Sequence, residues 1–518
     1  MAGVRNLDYY LNRLNGYSKN TIRVQPVSKQ TFNSGETIII RLPTNAIIDL
    51  HTLVLSMDGG AFTNLQTTNA GVASTSTPNA DFPRYVQSLF RRVDVTAGGV
   101  QVGLGSLSDY GAVWSLLALN TLGQDKHNEL SKYELAGELS ANNNLGPFYQ
   151  GGQDYPALGR TATGVTAQAQ GVVPTGTSNT IPTQRLQCSN WLGVLGGNFM
   201  RFLDTNLLPD VEIRLTLNSP YVLVNNLPAN QTGPPVITYA NSVGNYAVTN
   251  LYMAMETISF GDDSYRRMLD SRLATGDPII VPFTNWASFE TSAPPGSTNS
   301  VTQFTVATQS LNALYGTARV GNYDSTMQSA TTSTVNPIGI QTANKAYARQ
   351  VPYYQFKSLD VCQGTAAAGA AGRIEQNTRY QFTIDSKTYP QFLADSNDCY
   401  YLTRNAFDGG AVNRYFESAL VTGNNQSLAS QAVNQPLANV DWQENAFMLG
   451  LSLEHNGDSA HSERMISGLN TNGSNILVTW NIYNVTTPNR TNGFRPIVFL
   501  EMTSTLMVYA GRVISVIK

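Results

Sequence analysis

The residues best suited to chemistry in this chain of 518 are four histidines, three cysteines and a thin scatter of carboxylates. His455 and His461 share a Gly/Ser-rich stretch with Asp458 and Glu463, a set of oxygen and imidazole donors. Its spacing fits no closed zinc pattern, so a solvated loop is the expectation; His51 and His127 are the other two histidines. Cys188, Cys362 and Cys399 are odd in number, far apart and without a C-x-x-C pair, which predicts reduced, mostly buried thiols in a reducing compartment. Glycan hydrolysis needs two carboxylates facing each other across a cleft, and Asp385, Asp441, Glu444 and Glu501 are candidates that nothing in the sequence pairs. Gly103 and Gly105 lack the third glycine of a dinucleotide loop. There is no G-x-S-x-G elbow, Walker lysine or Cys/His nucleophile arrangement. The N-x-S/T triplets at Asn230, Asn425, Asn472, Asn484 and Asn489 are expected by chance in so Asn/Thr-rich a chain. The reading is of a protein with no catalytic residues, no metal and no cofactor.

What remains is the chemistry of surfaces. Charged residues make up 13% of the chain, against about 25% in ordinary soluble proteins, and the net charge is -3. The polar surface must therefore be mostly Ser, Thr, Asn and Gln. Of the 32 basic residues, 24 are Arg and 8 are Lys. Arg, with its planar and weakly hydrated fork, is the cation favoured in buried and interfacial pairs. This balance disfavours a globally basic nucleic-acid binder and suits a protein made for contact with other proteins. No run reaches the ~18 apolar residues that span a bilayer, and the start of the chain lacks a basic-then-apolar signal pattern, so a soluble cytosolic product is expected.

The elements that position these surfaces turn about the stretch from Tyr246 to Phe289. Residues Tyr246 to Phe260 lack Pro and Gly and are apolar on both alternating faces, which predicts a long central strand covered on both sides. A short amphipathic helix follows. Asp262 or Asp263 caps it, Tyr265, Met268, Leu269 and Leu273 share one face, and Gly276 with Pro278 stops it. That apolar face is expected to pack where two domains meet. IIVPFTNWASFE then restarts strand sequence, with Pro282 marking an edge or bulge.

A length of 518 exceeds the roughly 250 to 300 residues at which one core stops growing, so two domains are expected. We assign an N-terminal arm to 1–20, a first domain to 21–261, a connecting helix to 262–277 and a second domain to 278–518. In the first domain TIRVQPV, TIIIRLPTN and AIIDLHTLVLSM read as strands, 58–82 as a surface loop, and SLFRRVDVTAGGVQVGL as a hairpin around Ala97 to Gly99. Val113, Leu116, Leu117 and Asn120 fall at helical spacing, 123–187 reads as a long loop insertion, and Val211 to Leu217 alternates as a half-wet strand. In the second, TRYQFTIDSKTYPQFL reads as a strand ending at Pro390, 405–438 as a polar excursion, and the last strands turn at Ala510 and Gly511. In the arm, Leu7, Leu11 and Leu14 line one face of an amphipathic helix with Arg5 and Arg13 on its polar side.

Two consecutive all-β domains of about equal size, long neutral loops and no catalytic constellation resemble the double jelly-roll major capsid proteins of double-stranded DNA viruses, most closely those of virophages and Polinton-like viruses. The resemblance is carried by SGETIIIRLPTNAIIDLHTLVL, LFRRVDVTAGGVQVGLGSLSDYGAVWSLL, NLYMAMETISFGDDSYRRML, GDPIIVPFTNW, YQFTIDSKTYPQF and FLEMTSTLMVYAGRVISV, which together span nearly the whole chain. It implies an all-β fold of two consecutive eight-stranded antiparallel jelly rolls with a few short helices. It also implies a homotrimer forming a pseudo-hexagonal capsomer that tiles an icosahedral shell, with neighbouring capsomers, penton and minor capsid proteins as partners. The helix of the N-terminal arm either packs on its own domain or reaches a neighbouring chain, an inner membrane or packaged DNA. A different class, a phage tail or fibre protein or a carbohydrate-binding β-sandwich, would present aromatic residues on loop tips. Here Trp114, Trp191, Trp286, Trp442 and Trp480 all fall in or beside regular elements.

Overall fold

In a computed structural model the chain is described over residues 17–60, 65–69, 72–74, 80–81, 85–121, 184–196, 201–222, 224–225, 236–239, 246–260, 264–321, 323, 352–354, 356–360, 377–407, 442, 446–453, 468–472, 476–485 and 493–517. The period-two apolar patterns become strands. In Val211–Leu217 the residues Val211, Ile213, Leu215 and Leu217 are buried while Arg214 is exposed and Glu212 and Thr216 are half-buried.

The first half supplies β1 (Tyr17–Val24), β2 (Thr37–Arg41), β3 (Ile47–Gly60), β4 (Phe90–Ala97), β5 (Val100–Gly103), helix α1 (Tyr110–Thr121), β6 (Gln184–Cys188), β7 (Val211–Leu217) and β8 (Ala247–Phe260). Its strands form two antiparallel sheets, in the orders β1-β8-β3-β6 and β2-β7-β4-β5. Helix α2 (Ser264–Ala274) leads to the second half. There β9 (Ile279–Glu290), β10 (Ser300–Thr305), β11 (Leu311–Val320), β12 (Arg379–Ile384), β13 (Lys387–Ala394), helix α3 (Ser396–Phe407), β14 (Leu449–Ser452), β15 (Leu477–Tyr483) and β16 (Phe494–Tyr509) form sheets β9-β16-β11-β14 and β10-β15-β12-β13. Strand β17 (Val513–Ile517) folds back on β16. Adding eight to each strand label of the first half gives the orders of the second. Each half is thus an eight-stranded jelly roll with one helix between its fifth and sixth strands.

The two sheets of each half enclose its core. In the second, Phe289 stacks on Phe304 across the sandwich with centroids 4.4 Å apart, and Trp480 packs against Phe382 and Tyr380. Gly316 is required there, because a Cβ would lie 2.7 Å from the Trp480 ring and 2.8 Å from Phe382. The last hairpin turns through left-handed Gly511 and Arg512, as the sequence predicts for Ala510 and Gly511.

Several expectations need correction. The stretch 58–82 is not wholly loop: β3 runs on to Gly60, and Leu65–Asn69 pairs with Val72–Ser74 and Val236–Tyr239 in a small separate sheet. The Thr-rich sequence of 58–82 carries no sustained apolar alternation by which these strands could be read. Residues 184–187 lie in the core strand β6 rather than in an insertion. The strand predicted to end at Pro390 is a hairpin turning at Asp385, and β13 continues to Ala394; as an edge strand it tolerates a residue with no N–H. Helix α3, whose residues 405–407 fall in the predicted excursion, was not legible as a helix. Strand β8 is central, but its outward residues Tyr252, Ala254 and Glu256 are half-exposed in the single chain.

Candidate functional site at the interface of the two jelly rolls

Among the described residues a cluster of buried polar groups lies where the two sandwiches meet. It is built from the corner that joins β5 to α1. Asp109 occupies the N-cap position of α1, its carbonyl accepting from Val113 N at 3.1 Å. Its carboxylate turns to the second half, where it accepts from Arg319 Nη1 at 2.7 Å and from the Tyr353 hydroxyl at 3.2 Å.

Arg319 comes from the end of β11 and is 0% exposed. Its guanidinium lies 4.5 Å from the centroid of Tyr323, 5.4 Å from Tyr353 and 4.4 Å from Phe356. Nε and Nη2 have no hydrogen-bond acceptor among the described residues. Burial by itself disfavours the charged guanidinium, yet Asp109 and the nearby tyrosines more than offset it, so Arg319 holds its proton more tightly than usual. Burial likewise pushes the phenols of Tyr353 and Tyr354 far up, which keeps both neutral hydrogen-bond donors. Tyr354 donates to Ser88 O at 2.5 Å, again across the interface.

Further contacts extend the seam. Leu104 N donates to Asn285 Oδ1 at 2.9 Å, Ser108 N to Ser288 Oγ at 3.0 Å, and Ser288 N to Ser106 O at 3.1 Å, so the corner caps the free edge of β9. Asn120 in α1 accepts from Trp442 Nε1 at 2.7 Å and donates to Ala446 O at 3.1 Å. Between these contacts lies a cavity of about 220 Å³, walled by Leu117 and Leu192 on one side and by Trp286, Tyr315, Phe407 and Glu501 on the other. Tyr315 stacks between Trp286 and Phe407 and donates to Glu501 at 3.3 Å. What this arrangement can do is fix one jelly roll against the other.

The predicted residues are placed as follows. On α2, the Tyr265 hydroxyl donates to Asp204 at 3.1 Å and its ring lies 5.0 Å from Phe260, while Leu269 and Leu273 are half-exposed and Met268 is 57% exposed. Within one chain this face is therefore not closed by the two domains. Arg5, Leu7, Leu11, Arg13 and Leu14 lie outside the described residues, as do His127, His455, His461, Asp458, Glu463, Cys362, Asp441 and Glu444. Asp385 is in an exposed hairpin turn and Glu501 in the cavity wall, on different sheets. Cys188 and Cys399 are buried thiols. No group of three His, Cys, Asp or Glu able to hold a metal occurs among the described residues, and no described helix is long and apolar enough to cross a membrane. The Asp109–Arg319 pair was missed. Its one signal in the sequence is an arginine inside the otherwise uncharged run LNALYGTARV.

No protein-family model matches the chain, and no curated protein matches it. Solved structures do. A PBCV-1 protein fitted into a cryo-EM reconstruction of the virophage Sputnik superposes with a TM-score of 0.51 at 9% identity, over 97% of each chain. The cryo-EM structure of the Sputnik virophage gives 0.50 at 13% identity, over 97% of this chain and 89% of that one. The Faustovirus major capsid protein gives 0.50 at 8% identity, over 95% and 90%. At such identities the likeness is one of fold, and it spans both jelly rolls.

Proposed function

We propose that this chain is the major capsid protein of a double-stranded DNA virus: a structural subunit that trimerises into pseudo-hexagonal capsomers and tiles an icosahedral shell. The observation that carries the reading is the strand-for-strand duplication, β1 to β8 repeated as β9 to β16, locked by a buried interface. Two similar wedges per chain present six to a trimer's perimeter, which tiles a surface more evenly than three. The near-full overlap with the Faustovirus major capsid protein and with the two Sputnik virophage reconstructions named above supports it. The tail-fibre or carbohydrate-binding alternative draws no support from those structures.

Partners then include neighbouring capsomers, penton and minor capsid proteins. The arm at 1–20, basic at Arg5, Arg13 and Lys19 with Asp8 the only acid before Glu36, would meet a neighbour, an inner membrane or packaged DNA beneath the shell. A helix this short needs a surface, since about 12 to 15 residues are already marginal alone in water. Deleting residues 1–16 is expected to leave trimers intact and to impair closed shells. A truncated protein that no longer trimerises would assign the arm to its own domain. For the reading as a whole, size-exclusion chromatography with light scattering on the purified chain should report a trimer, and a monomer at micromolar concentration would overturn it.

A further inference from the structure

The cavity at the seam is a hollow over one transverse row of the β9-β16-β11-β14 sheet. Trp286 on β9 stands opposite Glu501 on β16, Glu501 opposite Ala313 on β11, and Ala313 opposite Ser452 on β14, so the four side chains share one face. The small side chains of Ala313 and of Ala406 in α3 leave the floor low among the larger Trp286, Tyr315 and Phe407. An irregularity in the pairing of β11 with β16 between Leu311 and Ala313 brings Asn312 to the same site. Its amide is already engaged, accepting from Ser310 Oγ at 2.8 Å and donating to Thr503 Oγ1 at 2.9 Å.

The roof comes from the first jelly roll. Leu117 and Thr121 stand one turn apart on α1, and Leu192 follows β6. The Thr121 hydroxyl donates back to Leu117 O at 2.8 Å, so the roof is mainly apolar. Among the described lining residues Glu501 alone is charged. It is half-buried and accepts from the Tyr315 hydroxyl at 3.3 Å. A carboxylate offers about four lone-pair sites, so it can hold Tyr315 and an ammonium together. A dry apolar cavity of about 150 Å³ takes benzene, and in proportion one of about 220 Å³ takes about nine carbon-sized atoms. Waters filling it would find few hydrogen-bond partners against leucine, alanine and aromatic walls, whereas an organic body matches them.

We propose that this cavity binds a small organic amine, with its ammonium on Glu501 and its apolar body between Leu117 and Leu192 on one side and Trp286 and Phe407 on the other. Hydrogen bonds between ionised partners are the stronger kind, so a carboxylate set in apolar walls selects a cationic donor over a neutral one. Because the ligand touches both jelly rolls, it binds where they are joined and stabilises the joined form by mass action. The inference goes beyond the capsid reading and does not depend on it, since the seam lies within a single chain.

The test uses the full chain and two probes of one size, 2-phenylethylamine, which is cationic at neutral pH, and 2-phenylethanol, which is neutral. Titration calorimetry should show saturable binding of one amine per chain, with the alcohol weaker by about tenfold or more, as expected for one charged hydrogen bond. The amine should also raise the melting temperature. Glu501→Gln keeps the size of the side chain and should lower the amine to the affinity of the alcohol. Ala313→Met fills the hollow from its floor and should abolish binding of both probes in a chain that still folds. That variant, with the two probes on the unaltered chain, decides the matter if Glu501→Gln does not fold. Equal affinity for amine and alcohol, no saturable binding of either, undiminished amine binding to Glu501→Gln, or binding that survives Ala313→Met would overturn the assignment.

Discussion

Removing one member of the Asp109–Arg319 pair strands the other charge in a dry interface. Arg319→Leu or Asp109→Leu is therefore expected to destabilise the chain by about 3 to 5 kcal/mol, and the double substitution to recover most of that loss, because two apolar side chains can replace a buried ion pair at little net cost. Denaturant unfolding of the three variants checks this. Additive losses in the double variant would mean the two side chains act independently. Asp360 gives a pH signature. Burial raises its carboxyl above the usual range, and hydrogen bonds from Ser396 and Thr378 offset this only in part. The folded chain then holds this proton to higher pH than the unfolded chain, so stability falls as pH rises from about 3.9, the ordinary Asp value, to the raised one. Asp360→Asn should remove that part of the slope, and identical pH profiles for the two proteins would contradict the assignment.

Helix α2 tests what an apolar stripe means at the scale of an element. Met268 is 57% exposed, so Met268→Asp should change the stability of one chain by no more than about 0.5 kcal/mol, the range of ordinary surface substitutions. A loss of several kcal/mol would show that the helix is closed within the chain after all. In the opposite sense, Trp480→Ala removes a fully buried ring from between Phe382 and Tyr380 and is expected to cost about 3 to 5 kcal/mol. The same contrast separates what was legible in the sequence from what was not. Strand β7 announces itself because one face meets a core and the other does not, which writes a period into the residues, whereas helix α1 is legible as an apolar run and is buried on nearly every side. Helix α3 does not: only Ser396, Cys399, Thr403 and Ala406 are buried, and small, partly polar residues leave no apolar stripe to read. The interface is quieter still. Asp109 and Arg319 are 210 residues apart, and their meeting depends on how two finished sandwiches pack.

At the scale of the whole molecule, the repeated strand order makes the chain a near-duplicate of one jelly roll, joined by a buried interface. The central claim is thus geometric, that two jelly rolls per chain build a trimer with six similar lobes. Electron microscopy of the purified protein tests it most directly. Class averages viewed down the three-fold axis should show pseudo-hexagonal particles, three chains to each. Single two-lobed particles, elongated fibres or rings of any other number of chains would contradict it.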